Sequence, residues 1–215
     1  MLLTATQFDE KIAKNELNIA FVGMSNVGKT FWTKRLTCDD RFFRWTVDDK
    51  IGDDLGLEDI GDLAEWMGYP YEPRYQTNIH RYLVAEEKHT LNPHFEKGKN
   101  AVLDCTGSVI YLSESVHNFL RENFLVISID VSPDNIQSMT EQYFRKPKPA
   151  VWGDSFNIQS GEDPKDALRR CYPEFLRYRM EQYNALADIV IPRGRRMPED
   201  IKSETLLRKI RKFLP

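Results

Sequence analysis

The stretch GMSNVGKT, residues 23–30, decides how this chain is interpreted. Its spacing fits the GxxxxGK[ST] pattern of loops that bind nucleotide phosphates. Four fixed positions also coincide by chance, so the residues on both sides have to agree with the motif. A phosphate-binding loop needs a buried strand before it and a helix after it, because backbone N–H groups and the positive helix end meet at the anion.

Both flanks of the loop have the required character. The segment LNIAFV, residues 17–22, is a short apolar run that is typical of a buried strand. Residues 30–36 contain no helix breaker and predict a helix. The alternative that stays open is a glycine-containing turn between strand and helix with a solvated lysine.

The motif gives most residues of the loop a role. Lys29 is expected to reach the outer phosphates of a nucleotide, and the Thr30 hydroxyl is expected to ligate Mg²⁺. We predict that the nucleotide is bound by the loop and the first helical turn: Gly23, Ser25, Asn26, Val27, Gly28, Lys29, Thr30 and Phe31.

Length and composition favour a single domain over residues 1–215. The chain is long enough for one α/β core, and no Gly/Ser/Pro-rich linker divides it. The net charge of −3 and the pI near 5.9 argue against nucleic-acid and membrane-surface binding. The scattered Cys38, Cys105 and Cys171 disfavour a disulfide framework. With no apolar segment of signal-peptide or membrane-span length, we expect a cytoplasmic protein.

Strand and helix patterns alternate along the chain. Strands are predicted near residues 17–22, 42–47, 100–103, 125–131 and 189–191. Helices are predicted over residues 6–16, 30–36, 57–97 with a break near 68–73, 113–122, 132 to about 144, 163–186 and from 198 onward. In the first helix, Thr6 and Asp9 are expected to form a capping pair. Five strands separated by helices imply an α/β fold with a parallel sheet covered on both faces.

Acidic residues follow two of the predicted strands, where ligands of such sheets bind. Asp104 ends the third strand, and we expect it to be the second anchor of Mg²⁺, directly or through water. Asp48 and Asp49 follow the second strand. A capping role for Asp104 and a solvated turn for the pair are the alternatives.

The stretch RKPKPAVWGDSFNIQSGED, residues 145–163, is too long for an ordinary connector. Loops of this length are usually functional lids or disordered. As a lid, it would bring Arg145, Lys146 and Lys148 over the transferring phosphoryl group, where cations neutralise developing charge. A basic loop without catalytic duty is the alternative.

In this order, the P-loop, FFRWTVDDKIG, LDCTGSV, the basic lid and RYRMEQYNALADIVI resemble shikimate kinases over about residues 17–192. The resemblance implies a three-layer, doubly wound P-loop kinase fold of the nucleoside-monophosphate-kinase type, with strand order 2-3-1-4-5 and a lid. It implies ATP and Mg²⁺ as cofactors and a small hydroxyl compound as acceptor. We expect a monomer or weak homodimer.

The resemblance to shikimate kinases also implies roles for individual residues of this sequence. Arg179, followed four residues later by Tyr183, matches the arginine that holds the acceptor carboxylate, which suits its paired N–H groups. Arg74 corresponds to a second such arginine, although each arginine is equally compatible with a surface ion pair. Asp48 corresponds to the residue that orients the acceptor hydroxyl and takes its proton. Gly107 matches the last glycine of a triple-glycine acceptor loop.

The sequence departs from the family pattern mainly on the acceptor side. Thr46 stands where the family has an acid linked to magnesium, so that role passes to Asp104. Cys105 and Thr106 replace two glycines of the acceptor loop. Lys148 takes the usual place of a lid arginine. The predicted catalytic residues are Lys29, Asp48, Arg145 and Lys148.

Two other classes of function stay open. SNVGKT also occurs in bacterial GTPase P-loops, and Asp104 to Gly107 satisfies DxxG, but no NKxD or TKxD motif follows a later strand. GTP hydrolysis without an acceptor would support such a switch. The substituted acceptor loop is also compatible with an ATP-binding relative of shikimate kinase that has lost catalysis, for which ATP binding without transfer would be the sign.

Overall fold

A computed structural model describes residues 2–57, 60–145, 150–193 and 197–215, without the side chains of residues 60–62 and 64. Its sheet has five parallel strands: β1 (Asn18–Val22), β2 (Phe42–Thr46), β3 (Asn100–Asp104), β4 (Leu125–Asp130) and β5 (Ile189–Pro192). Their order is β2-β3-β1-β4-β5. The predicted α/β class, the strand positions and the 2-3-1-4-5 order are confirmed.

Helices flank this sheet. They are α1 (Ala5–Lys14), α2 (Lys29–Leu36), α3 (Val47–Leu55), α4 (Ile60–Met67), α5 (Tyr75–Leu91), α6 (Glu114–Asn123), α7 (Ile136–Arg145), α8 (Pro164–Leu186) and α9 (Ser203–Arg211). Short 3₁₀ turns occupy Val109–Tyr111, Pro133–Asn135 and Gly153–Ser155. Among the described residues, no helix is both long and apolar enough to cross a membrane.

Strand β1 lies at the centre of the sheet and positions the site. It pairs with β3 on one side and β4 on the other, with Phe21 opposite Asp104 and Val22 opposite Ser128. All of β3 and all but the first residue of β1 are buried. Parallel strands end at the same edge, so the loop after β1 meets Asp104 there.

Helix α1 begins earlier than predicted and has a different cap. The Thr4 hydroxyl accepts a hydrogen bond from the Gln7 N–H, and the Gln7 side chain accepts one from the Thr4 N–H. This capping box satisfies two N–H groups at once, so the predicted Thr6–Asp9 pair is wrong. Asp9 instead pairs with Arg211 of α9 at 2.8 Å, which joins the first and last helices.

Two other helix starts differ from the sequence prediction. Helix α3 begins at Val47, directly after β2, where no helix was expected; its first turn is acidic, which suits the positive helix N-terminus. The predicted start of the last helix at Pro198 is wrong. The Pro198 carbonyl accepts the Ile201 N–H in a turn, and α9 follows at Ser203.

Candidate functional site

The loop of residues 23–28 connects β1 to α2, as the motif requires. Gly23 has a φ of +135°, and a Cβ there would lie 3.0 Å from the Ile129 carbonyl oxygen. Gly28 has a φ of +109°. Side chains are excluded at Gly23 by both conformation and contact, so the two glycines let the loop adopt a shape that few other residues permit.

Lys29 is the first residue of α2, and its ammonium lies against this loop. Its Nζ donates hydrogen bonds to the carbonyl oxygens of Gly23 at 2.7 Å and Met24 at 2.9 Å. Only 8% of the residue is exposed. Burial lowers the pKa of Lys29, while the carboxylates of Asp104 and Asp48 oppose that shift. The Lys29 ammonium nitrogen is therefore held against the loop by its carbonyl oxygens.

Asp104 ends β3 beside the start of α2, as predicted. The residue is buried, and Oδ2 accepts a hydrogen bond from Thr33 Oγ1 at 2.9 Å. Arg44 Nη1 lies 3.6 Å from the same oxygen. Burial raises the pKa of Asp104, whereas Lys29 and Thr33 lower it. Together with the hydroxyl of Thr30, this carboxylate forms an oxygen donor set that suits Mg²⁺.

A cavity of about 900 Å³ opens beside the loop. It extends from the loop and α2 to the segments that follow β4 and β5, and it is lined by Asn26, Val27, Gly28, Phe31, Trp32, Asp130, Ser132, Asn135, Pro192, Arg193, Met197 and Glu199. Its size is within the usual range for a small-molecule site. Of the predicted nucleotide-binding residues, Asn26, Val27, Gly28 and Phe31 are among its walls.

A second, smaller cavity of about 40 Å³ lies on the other side of the loop. It is lined by Ser25, Asp48, Leu63, Met67, Tyr82, Gly107, Ser108, Ala150, Val151 and Arg179. Three of the four residues predicted to bind the acceptor, namely Asp48, Gly107 and Arg179, therefore share one cavity, which is called the acceptor cavity below after this prediction. They come from α3, the segment after β3 and α8, which are far apart in the sequence.

Arg179 is 5% exposed and projects into this cavity. Its guanidinium lies 4.5 Å from the Phe175 ring centroid, and Nη2 donates to the Val151 carbonyl at 3.4 Å. Nε has no hydrogen-bond partner among the described residues. At Gly107, a Cβ would stand 3.6 Å from Arg179 Nη1 and 3.3 Å from Ser25 Oγ, so glycine keeps a narrow space open between the loop and the guanidinium.

Other predicted site residues lie elsewhere. Arg74 precedes α5, is 54% exposed at its side chain and pairs with Glu72 at 2.9 Å; it does not line the acceptor cavity. Arg145 is the exposed last residue of α7 and lines a surface cavity with Arg169. Lys148, like the neighbouring Lys146, lies outside the described residues.

A buried carboxylate that the sequence analysis missed lies behind the acceptor cavity. Glu86 of α5 is fully buried and accepts hydrogen bonds from the hydroxyls of Thr106 and Ser108. The Tyr82 hydroxyl lies 3.2 Å from Ser108 Oγ. Burial raises the pKa of Glu86 to about 7, and the two hydroxyls oppose this rise. The four side chains form one polar network.

The sequence contains a signal for this network. Buried residues of α5 recur at helical spacing: Tyr75, Ile79, Tyr82, Glu86 and Thr90. A glutamate that takes the place of an apolar residue in such a series points into the core. It also requires hydrogen-bond donors, because a buried carboxylate without them is costly.

One part of the predicted lid, residues 150–152, is fixed to the domain. The Tyr75 hydroxyl donates to the Ala150 carbonyl at 3.1 Å and accepts from the Trp152 N–H at 2.9 Å. The Trp152 ring is buried and stacks on Phe175, with centroids 4.6 Å apart. Ala150 and Val151, which line the acceptor cavity, are therefore held in place.

No family model and no curated protein matches this sequence. Solved structures of three shikimate kinases do match the fold. The enzyme from Acinetobacter baumannii, in complex with shikimate, is 20% identical with a TM-score of 0.57; the match covers 92% of this chain and 93% of that one.

The other two are more distant. The Bacteroides thetaiotaomicron enzyme is 16% identical, with a TM-score of 0.56 and coverage of 91% and 97%. The Aquifex aeolicus enzyme is 15% identical, with a TM-score of 0.51 and coverage of 90% and 93%. Such likeness describes architecture: this chain has the shikimate kinase-like P-loop kinase fold.

Proposed function

We propose that this protein is an ATP- and Mg²⁺-dependent kinase that transfers the terminal phosphoryl group to a hydroxyl of a small, carboxylate-bearing acceptor, shikimate or a related compound. The observation that carries the proposal is the pair of cavities on either side of one glycine loop. The larger cavity has room for a nucleoside, and the smaller one contains Asp48 and Arg179.

The donor half of the proposal rests on the loop. Its N–H groups and the start of α2 attract phosphates. Lys29 is already buried against the loop carbonyls, and phosphate oxygens offer its ammonium a stronger, charge-assisted partner. The lysine then neutralises charge that develops on the transferred group.

The proposed Mg²⁺ position lies where the end of β3 meets the start of α2. Thr30 and Asp104 would hold Mg²⁺, which would draw charge from the phosphate oxygens. Thr33 and Arg44 fix the Asp104 carboxylate in place through Oδ2. This support explains how an acid with a raised pKa keeps its orientation beside Lys29.

The acceptor half rests on Asp48 and Arg179. The buried Nε–H of Arg179 has no hydrogen-bond partner among the described residues, and an acceptor carboxylate would supply one. Asp48 then orients the acceptor hydroxyl and takes its proton as the phosphoryl group arrives. The cavity of about 40 Å³ is too small for a ring acid, so residues 150–151 must withdraw before it enters. Arg145 and Lys148 are proposed to cover the phosphates from the lid.

The first test is ADP release from Mg·ATP with and without shikimate. We expect shikimate-dependent release by the wild type and its loss, by about a thousandfold or more, in Lys29→Ala. Lys34→Ala is the matched control, because it removes an exposed lysine from the same helix. Unchanged turnover in Lys29→Ala would contradict the proposal, and ATP binding without release would indicate a different acceptor or a lost activity.

A further inference from the structure

A third cavity, of about 40 Å³, lies between the two cavities described above. It shares Asn26 and Arg193 with the larger cavity of about 900 Å³. It shares Ser25, Ala150 and Arg179 with the acceptor cavity. The third cavity therefore connects the walls of the other two, and it is called the middle cavity below.

The middle cavity lies where the terminal phosphate of a bound nucleotide would be. In the proposed kinase, the nucleoside occupies the larger cavity and the acceptor occupies the acceptor cavity, so the transferred group lies where their walls meet. The glycine loop contributes Met24, Ser25 and Asn26 to this junction. The N–H groups of such loops attract phosphate oxygens. The space is larger than a single water molecule needs, so it suits a phosphoryl group.

Two arginines supply the positive charge of these cavities. Arg179 and Arg193 both line the middle cavity, and among the described residues that line any of the three cavities they are the only cations. The other walls of the middle cavity include the rings of Tyr143, Tyr172 and Phe175. Rings in place of water lower the local dielectric constant, so a cation there acts more strongly on an anion.

Arg193 directly follows β5, at the edge of the sheet where the glycine loop begins. Its backbone N–H donates to the Asp130 carbonyl at the end of β4 at 2.8 Å, and β4 pairs with β1, which leads into the loop. The side chain is exposed, and its guanidinium has no hydrogen bond or ion pair with another described residue. Arg179, in contrast, is buried and donates to the Val151 carbonyl. Arg193 therefore has its N–H groups available for an anionic ligand.

We propose that Arg193 is a further catalytic residue of this kinase: its guanidinium binds the terminal phosphoryl group in the middle cavity and stabilises the charge that develops there during transfer. The inference rests on the proposed function and adds a residue to which the resemblance to shikimate kinases gave no role. Cations at the transferred group lower the barrier of phosphoryl transfer. Arg145, which was predicted for this duty, lines a different surface cavity with Arg169.

The chemical step requires no proton from Arg193. The bond between the terminal phosphorus and its bridging oxygen breaks, and the electron pair stays on that oxygen of ADP. A new bond forms from the phosphorus to the acceptor oxygen, whose proton passes to Asp48. The guanidinium keeps its charge throughout, and its paired N–H groups match two phosphoryl oxygens at once. The effect of Arg193 should therefore depend on both its charge and its geometry.

The test compares the binding of Mg·ADP and Mg·AMP-PNP, a nonhydrolysable ATP analogue that has the terminal phosphate, by calorimetry. The ratio of the two affinities reports contacts to the terminal phosphate. Arg193→Gln should lower this ratio about tenfold or more, because it removes charge-assisted hydrogen bonds, while Mg·ADP affinity stays within about twofold. Arg193→Lys keeps the charge without the paired N–H geometry, so its ratio should lie between those of the wild type and Arg193→Gln.

Arg208→Gln is the matched control. Arg208 is exposed on α9 and lines none of the three cavities, so the affinity ratio should stay that of the wild type. Steady-state kinetics supply a second measurement. With shikimate and saturating Mg·ATP, Arg193→Gln should lower kcat about a hundredfold while the KM for shikimate stays within about twofold. An arginine with a purely structural role would not change the affinity ratio and kcat together.

Each outcome bears on the role of Arg193. An unchanged affinity ratio in Arg193→Gln overturns the inference. An equal loss of both affinities also overturns it, because it would place Arg193 at the nucleoside instead. Shikimate-dependent ADP release with an unchanged kcat in Arg193→Gln overturns the inference and leaves the kinase proposal intact. A lowered ratio in a protein that releases no ADP with shikimate supports the contact to the terminal phosphate, while the kinase proposal fails.

Discussion

The two sides of the glycine loop are built in different ways. The proposed phosphate side is one contiguous stretch, residues 23–30, which would bind phosphates mainly through its backbone N–H groups. The acceptor side takes side chains from α3, α5, α8 and the segment after β3. A short sequence motif therefore predicts the phosphate side. The acceptor side forms only when the sheet and helices have folded together. A change on one side should leave the other largely intact.

The largest expected effect is on the phosphate side. Gly23→Ala adds a Cβ 3.0 Å from the Ile129 carbonyl at a φ of +135°, so the loop has to move. The strain alone costs about 1–3 kcal/mol, and nucleotide binding should be lost. Gly98→Ala is the control, because Gly98 has a φ of +81° with no atom near its missing Cβ. Calorimetry with Mg·ADP measures the difference; equal affinity in both variants would show that the loop shape is not required.

The next effect concerns stability and belongs to the acceptor side. The pKa of Glu86 rises on folding from 4.5 to about 7, so the folded state holds its proton more tightly than the unfolded state. That contribution is complete below about pH 4.5 and is lost as the pH rises through 7. The free energy of unfolding should fall by on the order of 3 kcal/mol between pH 4.5 and 8 relative to Glu86→Gln. Urea unfolding across this range measures it, and parallel profiles would refute the shift.

Arg179→Lys should have a smaller effect, which is confined to binding of the acceptor. A lysine keeps the charge but loses the paired N–H geometry, so the KM for the acceptor should rise about tenfold while Mg·ADP affinity stays within about twofold. Arg177→Lys is the matched control, because Arg177 is exposed on the same helix and pairs with Glu174. Steady-state kinetics with shikimate gives the values. A loss of nucleotide affinity would show that the two sides of the loop are not independent.

The smallest effect is expected for Arg74→Ala. The side chain is largely exposed, pairs with Glu72 and does not line the acceptor cavity, so the KM for the acceptor should change less than about threefold. Arg81→Ala removes another exposed arginine from the same region as a reference. A rise of tenfold or more would show that Arg74 joins the acceptor site when the lid opens and closes.

The sequence predicts the fold and the local structure around the glycine loop for a physical reason, while phosphate binding by that loop stays a prediction. Residues 17–36 combine a strand, a glycine loop and a helix in one local pattern, and strand order follows from the resemblance. Arg179 and Asp48, both predicted to bind the acceptor, line one cavity in the structure, and their roles stay predictions. The resemblance to shikimate kinases pointed to both residues, and for Asp48 its position after the second strand pointed the same way.

The sequence analysis missed the network of Glu86 for two reasons, although the spacing of residues in α5 contains a signal for it. A glutamate in a charged helix resembles many solvated ones until the burial of its neighbours is known. Its partners Thr106 and Ser108 lie some 20 residues away in sequence and meet it through the packing of α5. Arg74 shows the opposite case. The resemblance assigned it to the acceptor, but in the structure it does not line the acceptor cavity. Contacts between distant elements decide both cases.

The hydroxyl of Tyr75 has a kinetic consequence. It holds Ala150 and Trp152 by two hydrogen bonds and lies on the same helix as Glu86, eleven residues away. Helix α5 therefore carries both the buried Glu86 and the side chain that holds residues 150 and 152 in place. In the proposed kinase, the phosphorylated acceptor would leave only after both of these hydrogen bonds break, so its departure, rather than phosphoryl transfer, should limit the turnover rate.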